Sequence, residues 1–281
     1  MYPLSRRAAA HRLAGMAALI AAGGGTPPAA AQVPPPATLP PDHDMTAFPD
    51  HWMGSERIAF LVYPGFTALD MVGPHYMLAN LMGATVRVVA ATAAPVRSDT
   101  GLVFTPDDSF ETCPAELDII CVPGGSTGTL AAMQDAATLA FLADRGARAR
   151  YVTSVCTGSM VLGAAGLLRG RRATSHWVTR PLLKLFGAEP VDARVVTDGN
   201  LITGAGVTAG LDFGLSLVAG LRDRGYAEAV QLLAEYAPDP PFNAGTPATA
   251  PKVAVAQLEA MFVSFLAQLS EVARQSPGGR G

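Results

Sequence analysis

From Arg57 onward, short apolar runs alternate with stretches whose apolar residues recur at helical spacing. "RIAFLVYPG" has the character of a buried strand stopped by Pro64-Gly65, and "FTALDMVGPHYMLANLMG" behind it keeps a helical period closed by Gly83. "TVRVVAA" predicts a second strand and "VRSDTGLVFTPDDSF" irregular or hairpin structure. "LDIICVPGG" predicts a buried strand entering a Gly-rich loop, and "DAATLAFLADRGA" a helix. Tyr151 to Val155 predicts a further strand, with a helix from Thr157 to Leu168 behind it. Asp198-Gly199-Asn200 lies between two β-like runs and predicts a hairpin or edge addition. Two helices follow, "TAGLDFGLSLVAGLRDRG" and "YAEAVQLLAEYA", then a last amphipathic helix from about Lys252 to Ala273. Apolar strands alternating with helices imply a mostly parallel sheet covered on both faces, a single three-layer α/β sandwich.

The ends of the chain change the picture. Ser5-Arg6-Arg7 precedes the apolar run Leu13 to Ala22, and Ala29 to Ala31 offers small residues for cleavage before Gln32. That is the three-part layout of an export signal, with the paired arginines of the twin-arginine route. The run is too short to span a bilayer, so no stable membrane anchor is expected, and a periplasmic or secreted location is. Translation from Met45 or Met53 would instead give a cytoplasmic protein. The expected organisation is export signal 1–31, disordered Pro-rich linker 32–55, α/β domain 56–250, and C-terminal helix with a loose tail 251–281. With 49% hydrophobic and 15% charged residues, the domain can build a sizeable core. A net charge of −3 without a basic block offers nucleic acid nothing to bind. Three cysteines without metal spacing or an even-numbered framework speak against a structural metal.

Cys156 stands where the Tyr151–Val155 run turns into a helix. Ligands of open α/β sheets lie beyond the carboxyl ends of the strands, and such a corner exposes a side chain to free helix N–H groups. Those groups are expected to lower the thiol pKa and make Cys156 a nucleophile. A buried structural cysteine is the alternative, and it is the better reading of Cys121 inside "LDIICV". Gly158 would leave room for close approach of backbone or substrate. Asp70, flanked by Leu69, Met71 and Val72, is either a helix cap or an acid brought to the same sheet edge. Partly buried there, it could carry a proton at neutral pH. Pro123-Gly124-Gly125 either supplies unobstructed N–H donors for an oxyanion or forms a plain tight turn. His176, in "ATSHWVTR", reads as structural, with Thr174 or Ser175 as a cap and Trp177 as a packing residue. No histidine follows Cys156, which argues against a papain-like protease.

Five segments, "FLVYPGFTALDMVGP", "IICVPGG", "SVCTGSMVLGAAGLLRGRRATSHW", "LITGAGVTAGLDFGLSLVAGL" and "LAEYAPDPPFNAGTP", together resemble the ThiJ/PfpI superfamily, related in fold to class I glutamine amidotransferases. The likeness runs from about Arg57 to Pro251 and is greatest to the isonitrile (cyclohexyl-isocyanide) hydratases. Sensor halves of some AraC-type regulators carry nearly the same Cys-Thr-Gly and Thr-x-His-Trp segments. The resemblance implies a flavodoxin-like sandwich, a homodimer, and a strained elbow at the cysteine. It also implies that Asp70, Cys156 and Thr157 match the residues needed to hydrate a small apolar isonitrile to an N-substituted formamide, without metal or organic cofactor. Other branches place a glutamate at the acid position and a histidine after the cysteine, where this chain has Asp70 and Thr157. Backbone N–H groups of Gly124, Gly125 and Thr157 would stabilise developing charge, and Phe66, His75 and Trp177 are candidates to line the pocket. The alternatives are a ligand- or redox-sensing domain without turnover and a cysteine hydrolase of reactive carbonyls. Only about one helix follows Pro251, without a helix-turn-helix signal.

Overall fold

Each apolar run becomes a strand, and a computed structural model of the chain describes them within residues 48–279. The strands are β1 (Arg57–Leu61), β2 (Thr85–Ala90), β3 (Val96–Arg97), β4 (Val103–Phe104), β5 (Asp108–Ser109), β6 (Ile119–Val122), β7 (Tyr151–Val155), β8 (Arg172–Ala173), β9 (Glu189–Pro190), β10 (Val195–Asp198) and β11 (Leu201–Gly204). The helices are α1 (Ala68–Ala79), α2 (Thr127–Ala132), α3 (Ala136–Gly146), α4 (Gly158–Ala164), α5 (Ala209–Leu221), α6 (Arg224–Leu233) and α7 (Lys252–Gln275). The main sheet has seven strands in the order β10-β11-β7-β6-β1-β2-β5. Its pairings are parallel except for the β10–β11 hairpin turned at Gly199. The α/β sandwich expected from the alternation, flavodoxin-like as the resemblance implied, is the fold observed.

Helices α1 and α5 pack on one face, with Gly210 and Gly214 of α5 admitting Pro74 and Met77 of α1. Helices α3, α4 and α7 and a 3-10 turn at Arg180–Phe186 cover the other. From β1 the chain first pairs β2 on one side and later β6 on the other. The crevice at the carboxyl ends of β1 and β6 is therefore the topological switch point, where open sheets bind ligands.

Four departures from the sequence reading have physical causes. The linker expected to run to residue 55 gives way to packed structure from Phe48. Trp52 sits edge-on to Tyr226 at 4.8 Å and donates to Asp223 Oδ2, while Glu56 pairs with the buried Arg222 at 2.6 Å. The export signal and the linker up to residue 47 lie outside the described residues. The helix expected to reach Leu168 stops at Ala164, because Gly166 takes a left-handed conformation (φ 84°) that ends it. The tail expected to be loose is held as far as Gly279. Gly278 packs where a Cβ would strike Gly163 O at 1.8 Å, and Arg169 donates to its carbonyl. Finally, the amphipathic helix expected to end near Ala273 runs to Gln275 as α7 and buries little of its length. Its buried residues are Leu269 and Ala273, and by length and composition it is apolar enough to cross a membrane.

Candidate active site

The corner after β7 is strained where the sequence placed its thiol. Cys156 has φ 57°, a left-handed backbone in a residue with a Cβ, which costs roughly 1–2 kcal/mol and must be imposed by its surroundings. Its N–H donates to Gly204 O on β11. Its carbonyl accepts from Ser159 Oγ at 3.2 Å and Ser175 Oγ at 3.0 Å. Gly158 opens α4 where a Cβ would lie 2.2 Å from Val122 O. The room it leaves is thus taken by the backbone of Val122 and Pro123, the close backbone approach that its lack of a side chain allows.

Asp70 reaches the same crevice from the first turn of α1. The preceding loop is pinned to the Gly124–Gly125 loop by a Phe66–Gly125 bridge and by the Thr67 N–H on Gly124 O at 2.8 Å. Gly124 N–H donates to Asp70 Oδ2 at 2.8 Å, whereas Oδ1, fully buried, has no hydrogen-bond partner among the described residues. Burial, with a smaller push from Asp99, raises the Asp70 carboxyl to about 7, against the Gly124 N–H that favours its charge. The acid reading of Asp70 is therefore the one its surroundings support, and the capping reading fails.

The thiol departs from expectation in the opposite sense. Burial and the facing Asp70 carboxylate push Cys156 well above the ordinary thiol range, although the Thr157 N–H favours the thiolate. One N–H, that of the N-cap residue Thr157, favours the thiolate, and desolvation beside a negative carboxylate outweighs it. Sulfur and carboxyl instead face each other as a buried pair, with Asp70 Oδ2 held by the Gly124 N–H and Oδ1 without a hydrogen-bond partner among the described residues.

Thr157 is placed differently from expectation as well. Its hydroxyl donates to Gly125 O at 2.6 Å, accepts from Gly125 N–H at 2.9 Å and lies 2.8 Å from Thr129 Oγ1. Gly125 N–H is therefore engaged within the protein, as is Gly124 N–H on Asp70, and neither is free as an oxyanion donor. Thr157 acts on Asp70 indirectly, by fixing the loop whose Gly124 N–H holds the carboxylate. Gly124 must lack a side chain, since a Cβ would lie 2.6 Å from Thr157 N and 2.9 Å from Asp70 Oδ2.

The three expected pocket residues have contacts of their own. Phe66 is fully buried against Tyr63 and Phe104 and belongs to the core. His75 packs on Phe60 at 5.3 Å, and burial lowers its pKa while Asp107, which caps β2 at Val88, raises it. Trp177 lines a cavity of about 130 Å³ with Pro247, Pro251 and Leu258. His176 packs against Phe262, as its structural reading required. The residues the sequence reading missed are Thr129, Tyr63, Ser159 and Ser175. Tyr63 donates to Pro123 O at 2.7 Å and lies 3.3 Å from Thr129 Oγ1, so both brace the Gly124–Gly125 loop. Ser175, expected to cap a helix, is bound to Cys156 instead. Buried hydroxyls carry no sequence pattern, and nothing short of the fold brings them to the corner.

A parallel α/β sandwich with a left-handed cysteine at its switch point defines a class of proteins, and the comparisons narrow it. Residues 56–220 match the DJ-1/PfpI family, and the chain belongs to that family. It is 53% identical over 199 residues to an isonitrile hydratase of Pseudomonas putida, covering 71% of this chain and 86% of that protein. The crystal structure of a ThiJ/PfpI family protein from Pseudomonas syringae superposes with a TM-score of 0.79 at 56% identity, covering 85% of this chain and 98% of the other. A deglycase of Thermococcus kodakarensis is 30% identical over 148 residues, 52% of this chain and 88% of that enzyme.

Proposed function

We propose that this chain hydrates an isonitrile to an N-substituted formamide, with Cys156 as nucleophile and Asp70 as proton carrier. The observation that carries the reading is the buried pair itself: a carboxyl raised to about 7 facing a thiol, with one oxygen unpaired. The likeness to an isonitrile hydratase supports it.

In the active state the pair holds one proton. Asp70 Oδ1 takes it from the thiol and delivers it to the terminal carbon of R–N≡C as the sulfur bonds to that carbon, giving the thioimidate R–N=CH–S–Cys156. Asp70, again a carboxylate, then takes a proton from water. The water oxygen adds to the same carbon, and the proton passes to nitrogen. The tetrahedral adduct R–NH–CH(OH)–S–Cys156 collapses with rupture of the C–S bond. Formamide leaves, and the hydroxyl proton returns to the pair. The Thr157 N–H, directed at the sulfur, favours the thiolate as it forms and as it departs. An uncharged substrate suits a site where every charge is desolvated.

The test is incubation of purified Gln32–Gly281 with cyclohexyl isocyanide, scored by formamide. Absence of turnover in the wild type would overturn the hydratase reading in favour of a sensing domain. Conversion of methylglyoxal to lactate without formamide would assign it to carbonyl hydrolysis. A homodimer and export of the mature chain from residue 32 belong to the same proposal. Sedimentation as a monomer would remove the first, and a native N-terminus at Met45 or Met53 the second.

A further inference from the structure

Beneath Cys156, on the α4 side of β7, lies a group of hydroxyls the proposed chemistry does not use. Ser154, Ser159, Thr174, Ser175, Thr179 and Thr203 are all fully buried. Two of them converge on one atom, the Cys156 carbonyl oxygen: Ser159 Oγ from the first turn of α4 and Ser175 Oγ from the strand-following turn after β8. Ser175 is braced in turn: with its own proton on Cys156 O, its oxygen accepts from the Thr179 hydroxyl at 2.8 Å.

A carbonyl needs one donor to be satisfied when buried. Two hydroxyls from separate elements fix its direction as well. The Cys156 carbonyl and the Thr157 N–H belong to one peptide unit, which is planar and trans, so the two groups point in opposite directions. Holding the carbonyl down into the hydroxyl cluster therefore turns the Thr157 N–H up towards the cysteine side chain. Rotation of that plane changes ψ at Cys156 and φ at Thr157, and the two hydroxyl contacts on its carbonyl hold it.

We propose that Ser159 and Ser175 are positioning residues that orient the Cys156–Thr157 peptide plane and so deliver the Thr157 N–H to the reacting sulfur. They touch neither substrate nor sulfur. The turnover part of the inference rests on the hydratase reading, whereas the thiol part does not. A deletion of these hydroxyls removes a donor that favours the thiolate, so the thiol becomes harder to ionise.

The experiment is the rate of iodoacetamide alkylation at Cys156 as a function of pH, followed by mass spectrometry of its peptide to separate it from Cys113 and Cys121. Ser175→Ala should slow alkylation at pH 7 about threefold and Ser159→Ala/Ser175→Ala about tenfold, the latter a rise of about one pH unit in the profile. Ser175→Thr should restore the wild-type profile. Ser154→Ala, which deletes a buried hydroxyl with no hydrogen-bond partner among the described residues, should leave it in place. With cyclohexyl isocyanide, kcat should fall with the alkylation rate while KM stays constant. A Ser175→Ala profile that superimposes on wild type would overturn the proposal, as would an equal shift in Ser154→Ala. Loss of turnover with an unmoved thiol profile would also overturn it, and would leave the hydratase reading intact.

Discussion

Cys121 lies on β6 and Cys156 just beyond the end of the neighbouring parallel strand β7, both buried and both without a disulfide. Burial raises both thiols, Cys121 to about 12. There the likeness ends. Cys121 sits inside β6, its sulfur accepting from Thr153 Oγ1 at 2.8 Å, with no titratable group among the causes of its shift. Cys156 sits one residue beyond β7, on a left-handed backbone, with a carboxyl before its sulfur and an N–H behind it. Desolvation makes a thiol inert. A nearby group able to take its proton is what makes a desolvated thiol usable, and the strained corner is what brings the two together.

Removing each sulfur gives the widest separation between them. Cys156→Ala should abolish formamide production, a fall of about 10³-fold or more. Cys121→Ala should keep turnover within about twofold and cost roughly 1–2 kcal/mol in urea unfolding, the price of a small core cavity. Equal losses of activity would erase the distinction.

Asp70→Asn comes next. Turnover should fall by about 10²–10⁴-fold, the range of a lost general acid–base group. Stability should change in the opposite direction. A folded-state pKa raised from 3.8 to about 7 means that Asp70 supports the fold below pH 4 and costs stability as pH rises through 7. The shift corresponds to about 4 kcal/mol. Asp70→Asn should therefore match wild type near pH 4 in this contribution and exceed it at pH 8, measured by urea unfolding at both values. In the wild type, kcat/KM should rise with pH up to about 7 and then level, because the pair must shed one proton to work. Activity that is already maximal at pH 5 would contradict the assignment.

Gly124→Ala probes the loop between the two groups. A Cβ there would press on Thr157 and Asp70, and displacement of the carboxylate should reduce kcat about 10²-fold. The smallest effect belongs to Thr153→Val. It removes the hydroxyl on Cys121 and on Ile120 O, and should cost about 1 kcal/mol of stability with activity unchanged.

How far the sequence reaches differs between these regions. The run Tyr151–Val155 located the strand and the corner, because it is rich in the aromatic and β-branched residues that strands favour. Asp70 stood out as a carboxyl among Leu69, Met71 and Val72, and the fold buries it. Phe66, His75 and Trp177 were legible only as large side chains near the motifs. Their directions depend on neighbours from distant segments, so Phe66 went to the core and His75 to Phe60. The lowered thiol pKa was inferred from a helix start alone. Desolvation and a facing carboxylate are properties of three-dimensional proximity, and they reversed its sign.

The sequence by itself determined the alternation of strands and helices, the parallel sheet, and the cysteine at its switch-point edge, since each follows from local periodicity and turn chemistry. The tertiary structure alone decided which groups surround that cysteine: the carboxyl from α1, the glycine loop that holds it, and two serine hydroxyls on its carbonyl. Hydrogen bonds between segments far apart in the chain, and the loss of water around them, have no counterpart in a linear pattern.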